Sequence, residues 1–456
     1  MAQVGRYRAY PAYKPSGVAW LGDIPEGWEA KKLKFSSTHN DEVLSDNVSA
    51  DWCIKYVDIG SVSAEGGIGE TQDFEFGKAP SRARRVVKHG DVLVSTVRTY
   101  LKAIAPVISP PPNLIASTGF AVIRPTGDLN SDFASYALRT EGYVGEIVSQ
   151  SVGVSYPAIN ASDAVQIHLP IPPSSEQIQI AVFLEYETAK IDALIAKQER
   201  LIALLEEKRQ AMISHAVTKG LNLNAPLRPS GIDWLGDVPA HWEVKRLKHI
   251  SPKIGVGLVI NPSTYTRDEG RYFIFGGDVK EFEFDLQKTR RISAKDSESL
   301  KPSLLKQGDL VSIRVGFPGI SAVVTEELDG ANCASVIITR KGDFNSNWLC
   351  SLMNSWVGKK QVEVASYGAA QKQYNVSDAV EFVFPVPPPS EQLAIATKIS
   401  ESRSNFGDLI AKAQSAITLL KERRTALISA AVTGKIDVRD WQAPAATSTQ
   451  DISQDA

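Results

Sequence analysis

Cysteine is scarce in this sequence. Only Cys53, Cys333 and Cys350 occur among 456 residues, and no two form a C-x-x-C pair. Neither a disulfide framework nor a zinc cluster is supported, and the three are expected as reduced, buried thiols. An excess of charge of one sign is missing too. Fifty Lys and Arg stand against 52 Asp and Glu, for a formal net charge of -2. The chain as a whole is therefore not a basic polymer binder, and any basic surface must be local and offset elsewhere. No apolar run approaches the roughly 20 residues of a membrane helix. The first residues, "MAQVGRYRAYPAYKPSG", lack the apolar core of a signal peptide, so a cytoplasmic protein is expected. The six histidines (His39, His89, His168, His215, His241, His249) show no ligand spacing, and no metal is expected. A phosphate loop of the G-x-x-x-x-G-K-[ST] kind is absent, which excludes a nucleotide-driven motor, and no G-x-G-x-x-G follows a strand-like run. The last absence is local: from Ser174 to Thr218 there is no glycine and no proline.

What is present is a repeat. "GVAWLGDIPEGWEAKKLK" from Gly17 and "GIDWLGDVPAHWEVKRLK" from Gly231 share 11 of 18 positions at an offset of 214. "INASDAVQIHLPIPPSSEQIQIA" from Ile159 matches "YNVSDAVEFVFPVPPPSEQLAIA" from Tyr374 at an offset of 215, and "IALLEEKRQAMISHAVT" from Ile202 matches "ITLLKERRTALISAAVT" from Ile417 at the same offset. Three blocks in one register make the chain two copies of one module.

The first part of each module is rich in glycine, proline, β-branched and aromatic residues. "VKHGDVLVSTVR" (Val87 to Arg98) answers "LKQGDLVSIRVG" (Leu305 to Gly316), with Gly-Asp as a turn before a β-branched strand, and "GFAVIRP" answers "ASVIITR". A mixed α/β (α+β) globule with a substantial sheet is predicted. The second part of each module is a long helix. Prolines in "PIPPSSEQ" and "PVPPPSEQ" stop the preceding strand, Ser174 or Ser175 and Ser390 stand as N-caps, and the glycines of "VTKG" and "VTGK" suit a left-handed C-cap. A helix over Ser174–Thr218 would run roughly 65 Å.

Positions at 4-3 spacing form a coiled-coil seam with polar interruptions, carried by Ile191, Leu194, Leu201, Leu205 and Met212 in one copy and Phe406, Leu409, Leu420 and Leu427 in the other. A helix this long needs a partner, and the other copy supplies it. Antiparallel packing is expected, because a parallel pair would force the second globule to span the bundle; the rod then fixes the separation of two similar surfaces. The expected segments are a first globule with an N-terminal arm at 1–173, a spacer helix at 174–218, a linker at 219–229, a second globule at 230–388, a second spacer helix at 389–433 and a disordered tail at 434–456.

Two similar surfaces at a set separation suit duplex DNA, whose half-sites recur on one face at multiples of about 34 Å. The order globule, long helix, globule, long helix, with "PPSSEQ" and "PPPSEQ", "LGDIPEGWE" and "LGDVPAHWE" and the Gly-Asp strands, resembles the specificity subunit of type I restriction-modification systems over residues 14 to 435. The resemblance implies two target recognition domains, each reading half of a split DNA sequence. It implies helices that separate them and dock two methyltransferase subunits, with restriction subunits outside. It also implies a chain without catalysis of its own that directs adenine methylation and cleavage in phage defence. S-adenosylmethionine, ATP and magnesium are then expected only on partner subunits. "INPSTY" (Ile260 to Tyr265) lacks the second proline of the Asn-Pro-Pro-Tyr loop of adenine methyltransferases and reads as an Asn-Pro turn. "DEV" at Asp41 lacks the other motifs of a helicase.

Candidate DNA-binding residues come from basic and polar stretches of the globules. "SRARR" supplies Arg84 and Arg85 and is aligned with "KTRR", which supplies Arg290 and Arg291, ahead of the Gly-Asp strand. "STVRTYLK" supplies Arg98, Thr99 and Lys102 in a loop after the strand, and its counterpart "SIRVGFPG" supplies Arg314. "SVGVSYPAIN" supplies Ser155 and Tyr156; "SYGAAQKQYN" supplies Gln371, Lys372 and Gln373. Arginine can fork onto guanine and glutamine onto adenine, while lysines and backbone amides more often hold phosphates. Trp20, Trp28, Trp234 and Trp242 recur in the repeats and are expected in cores or docking contacts. The alternative reading is a protein-protein scaffold with two heads on a spacer and no DNA specificity; a third, an enzyme with a fused catalytic domain, has no cofactor motif behind it.

Overall fold

A computed structural model describes residues 7–63, 67–259, 261–368 and 371–444. The chain divides into two compact units, Met1–Gln198 with Ser415–Ala456, and Glu199–Gln414. The division falls inside both long helices, so each unit holds one globule and a stretch of each helix.

In the first unit a four-stranded antiparallel sheet is ordered Ile104–Pro106, Val92–Ser95, Phe120–Pro125, Ser37–His39. Val92, Val94, Ala121 and Ile123 pack with Phe133, Ile180 and Leu184, whereas Leu93, Phe120 and Val122 pack in another cluster with Val57 and Ala116. Neighbouring residues of a strand face opposite sides, so a run that is apolar at every position serves a sheet covered on both faces. The covering layer on one side is a second sheet, ordered Gln72–Glu75, Cys53–Val57, Leu114–Ser117, Ala83–Val86, in which the middle pair is parallel. Cys53 opens its strand and is exposed, unlike the buried Cys333 and Cys350. The expectation of three buried thiols thus fails at the first residue of an inner strand of that sheet.

The second unit repeats the first sheet as Ser321–Val323, Leu310–Ile313, Val336–Thr339, Ile254–Val256. Its second sheet has three strands, Arg290–Ile292, Arg271–Ile274 and Asn332–Cys333, the last two parallel. Where the first unit places Ala83–Val86, the second has a single bridge from Leu304 to Asn332.

The long helices run Ser174–Lys219 and Pro389–Val432. Their first turns are initiated by proline carbonyls rather than by serine side chains: the N–H groups of Glu176 and Gln177 donate to Pro173 O, and those of Glu391 and Gln392 to Pro388 O. Ser174, Ser175 and Ser390 therefore lie inside the first turn and are not N-caps. Both helices end on left-handed glycines, Gly220 with φ 77° and Gly434 with φ 70°.

In each unit the two helices are antiparallel. In the first, Arg424 Nε lies 3.0 Å from Asp192 Oδ1, and the Gln179 amide donates to Trp441 O. In the second, Ile213 and Val217 share a core with Ile395 and Ile399. The seam departs from the expected one. Ile191, Leu205, Met212, Phe406, Leu420 and Leu427 are buried or half-buried, but Leu194, Leu201 and Leu409 are exposed, and Ile195, Ile202 and Ile410 turn inward instead. Spacings of three and four residues both fit an apolar stripe, and packing chose the neighbour one position along.

The segment following the second helix is not a tail from 434 onward. Ile436 and Val438 are buried, Arg8 and Asp437 form a β-bridge, and Trp441 packs edge-on against Phe183 at 5.2 Å. The remainder of the expected disordered tail, 445–456, lies outside the described residues. The last three residues of the expected linker, Leu227–Pro229, pair with Asp237–Pro239 as a strand.

Candidate nucleic-acid interface

Each globule is fastened to its helix in the same way. The strand Glu29–Lys32 pairs with His168–Ile171, which runs into the first long helix, and Glu243–Arg246 pairs with Val383–Val386 before the second. The buried indole of Trp28 donates to Glu176 Oε2 at 2.9 Å and that of Trp242 to Glu391 Oε2 at 3.0 Å. Gln177 accepts from the N–H of Asn130 and donates to Asp128 O and Pro172 O. Gln392 accepts from Asn345 and donates to Pro387 O. The "SEQ" element of the repeat is thus a clamp, and the expectation of structural tryptophans holds for Trp28 and Trp242.

The central strands are fixed at their starts and offer their ends. The start is the Gly-Asp turn. Asp91, buried, receives Nε and Nη2 of Arg124, each at 2.8 Å, and the N–H of Lys88. That carboxylate pushes the Arg124 guanidinium well above its ordinary value. In the second unit Asp309 receives Arg340 Nη1 at 2.6 Å and the N–H of Lys306. Each buried carboxylate is hydrogen-bonded to a half-buried arginine, which is the condition for burying it at all. It sets the height of Val92–Ser95 and of Leu310–Ile313, whose far ends become loops.

There the sequence-predicted residues converge. In the first unit the loop after Ser95 pairs with the returning segment through Val97 and Ala158, and the Arg98 N–H donates to Pro157 O at 2.8 Å. Arg98 stacks its guanidinium over the exposed Tyr156 ring at 4.9 Å. Thr99 is buried, 2.8 Å from the Ser151 hydroxyl, while Lys102 and Ser155 are exposed. In the second unit Val315 pairs with Gln373, and the Gly316 N–H donates to Lys372 O at 3.0 Å. Gln371 and Lys372 are exposed; Arg314 is half-buried, its Nη1 3.4 Å from Asn375 Oδ1.

These hydrogen bonds fix which residues of the two loops correspond. Arg98 and Gly316 occupy equivalent positions, since each donates its backbone N–H to the matching carbonyl, Pro157 or Lys372. Arg314 is the equivalent of Thr96: Tyr374 donates to Arg314 O as Ile159 donates to Thr96 O.

The other four arginines lie on strands of the second sheets rather than in these loops, and the two pairs are not equivalent. Arg84 and Arg85 belong to a strand beside Leu114–Ser117, whereas Arg290 and Arg291 pair with Arg271–Ile274 on the opposite edge. The helix Ala294–Ser299, placed between Arg291 and the Gly-Asp turn, displaces them from the matching strand. Arg84 stacks on Phe76 at 4.8 Å, Arg290 on Phe275 at 4.4 Å and Arg291 on Tyr272 at 3.6 Å. Burial pushes the Arg85 guanidinium down.

Sequence reasoning passed over two apolar residues of the loops. Val154 in the first unit and Phe317 in the second stand in solvent, with Phe317 78% exposed, and Tyr100, beside Arg98 in its loop, is exposed as well. An alternation of aromatic and basic residues in "RTYLK" was the available signal. Among the described residues no group of three or more His, Cys, Asp or Glu could hold a metal ion, and no helix is long and apolar enough to cross a membrane.

Comparison with known proteins agrees with this architecture. The family model described as "Type I restriction modification DNA specificity domain" matches residues 82–204. The specificity subunit of the type I restriction enzyme EcoBI from Escherichia coli is 24% identical over 331 residues, covering 69% of this chain and 67% of that protein. A chain solved for "Structural basis underlying complex assembly and conformational transition of the type I R-M system" superposes with a TM-score of 0.70 at 22% identity, over 90% of this chain and 98% of that one. The HsdS subunit from Thermoanaerobacter tengcongensis gives a TM-score of 0.53 at 22% identity, over 91% and 98%.

Proposed function

We propose that this chain, which belongs to the specificity subunits of type I restriction-modification systems, reads a split DNA sequence, one half with each globule. The observation that carries the reading is the doubled loop pair. On one scaffold, held by the same pairing of a buried aspartate with an arginine, the first unit presents Arg98, Lys102, Ser155 and Tyr156, and the second presents Gln371, Lys372 and Gln373 beside Arg314. A shared frame with different side chains is what two different half-sites require. Lysines there hold phosphates and set register, and the forked or amide side chains reach base edges. Thr99, buried against Ser151, braces the first loop. Arg84, Arg85, Arg290 and Arg291 are outside the loop pairs and are assigned no base contact.

The chain supplies sequence choice and no chemistry. Two methyltransferase subunits bind the helices and methylate adenine; restriction subunits join outside them and cut. S-adenosylmethionine, ATP and magnesium reside on those partners, in the cytoplasm. With a formal net charge of -2, the chain alone holds DNA weakly and depends on the methyltransferase to close around the duplex.

The test is methylome sequencing of cells that express the chain with its methyltransferase, together with gel shift of the purified proteins. A bipartite adenine-methylated motif, and retention of that duplex only with the methyltransferase present, are expected. Binding indifferent to DNA sequence would favour the scaffold reading.

A further inference from the structure

Non-glycine residues rarely take positive φ, and where they do the side chain has usually been kept for a reason. Two of the residues that do so here flank one short loop: Arg98 at φ 51° and Lys102 at φ 53°. The equivalent positions of the second unit are glycines, Gly316 at φ 93° and Gly319 at φ 94°. The equivalences rest on hydrogen bonds. Arg98 and Gly316 donate to matching carbonyls, and Lys102 and Gly319 precede Ala103 and Ile320, whose carbonyls accept from Ser95 and Ile313. Both loops, five residues long in the first unit and four in the second, therefore take positive φ at their two flanking positions. Glycine is the low-strain solution, and one copy uses it. The first unit carries two long cations there instead.

Arg98 is also prepared to bind. Its guanidinium has no carboxylate partner among the described residues, in contrast to Arg124, Arg340 and Arg424. It lies over Tyr156, itself 64% exposed, with its backbone tied to Pro157. Stacking restricts the plane of the fork while leaving its outer N–H groups free for a pair of acceptors. In the major groove that pair is O6 and N7 of guanine. Lys102, a point charge with no such restriction, suits the neighbouring phosphate. The second unit offers no arginine at this position, since Gly316 is followed by the exposed Phe317.

We propose that Arg98, oriented by Tyr156, reads a guanine in the half-site bound by the first unit, and that the other half-site has no guanine reader at the equivalent position. This rests on the DNA-reading function proposed above and adds the base, the residue and the asymmetry between halves.

The test uses the full chain with its methyltransferase. In Arg98→Gly the loop keeps a residue suited to its backbone, so the melting temperature should stay level or rise. The methylome motif should relax at one G·C pair of one half-site, with the other half-site unchanged. Wild-type protein should bind a duplex carrying 7-deazaguanine at that pair roughly tenfold more weakly than the natural duplex, and Arg98→Gly should not distinguish them. Should the variant lose methylation altogether, the same pair of duplexes with wild-type protein decides. Arg98→Lys, which keeps charge but not the fork, should behave like the glycine variant. An unchanged motif, relaxation at an A·T pair, equal weakening on all sequences, or indifference of the wild type to 7-deazaguanine overturns the guanine assignment and leaves the DNA-reading function standing. A wild-type complex that methylates no bipartite motif overturns that function, and this inference with it.

Discussion

The indole N–H of Trp28 donates to Glu176 Oε2 across 2.9 Å, joining residues 148 positions apart at the point where the first globule meets its helix. Glu176 also accepts from the Tyr10 hydroxyl at 3.0 Å. Burial, with the nearby Glu176 charge second, pushes that hydroxyl far above its ordinary range. The second unit has the same pair in Trp242 and Glu391. Glu176→Ala or Glu391→Ala leaves a buried indole without an acceptor and should cost about 1–3 kcal/mol. Urea denaturation followed by circular dichroism measures it; a loss below about 0.5 kcal/mol at both sites would show that the clamp is not a stabilising element.

Replacing Arg340 with Met strands the buried carboxylate of Asp309, which now receives Arg340 Nη1 at 2.6 Å. Removing one partner of a buried pair costs about 3–5 kcal/mol. The same denaturation assay should show this, with Arg124→Met doing likewise through Asp91. Wild-type stability in both variants would mean that water reaches these aspartates.

Acid should loosen the segment that follows the second helix. Hydrogen bonding to Arg439, at 2.6 Å from Oδ2, holds the Asp437 carboxyl below its usual range. Hydrogen bonding to Lys31 does the same to Asp128. A carboxyl whose folded value lies below its unfolded one adds stability above the ordinary range, near 3.9, and loses it as pH falls through the folded value. Melting temperature recorded from pH 7 to pH 3 should therefore fall less steeply in Asp437→Asn than in the wild type. Parallel curves would remove these ion pairs from the account.

The thiols should react unequally. Cys53 is exposed, whereas burial pushes the Cys350 thiol up to about 12 and raises Cys333 further. A thiolate-selective reagent at pH 8 should modify one thiol quickly in the native protein and the other two only after unfolding. Fast reaction of two or more in buffer would contradict the packing around Cys333 and Cys350.

Helix length should appear in the recognised sequence. Four residues inserted into the exposed face near Glu206 lengthen the first helix by about 6 Å, equivalent to one to two base pairs. With a matching insertion in the second helix, the methylome motif should gain that gap and keep both half-sites. An unchanged gap would show that something other than helix length sets it.

The sequence by itself determined the features that depend on local patterns. The doubling is visible as repeated text. The first long helix follows from a run without glycine or proline, and both long helices end at left-handed glycines. The core strands follow from β-branched runs after Gly-Asp. Tertiary structure decided what local pattern leaves open. Leu194 and Ile195 suit a seam equally well by type, and only packing against the other helix placed the isoleucine inward. "STVRTYLK" and "SIRVGFPG" can be set against each other in more than one register; hydrogen bonds from the returning segment, some 60 residues later in the chain, place Arg98 with Gly316, as the count from Gly-Asp does, and Arg314 with Thr96. "KTRR" reads like "SRARR", yet an inserted helix moved it to the opposite edge of its sheet. Register between distant segments is an energy shared by many backbone pairs, and no single residue type records it.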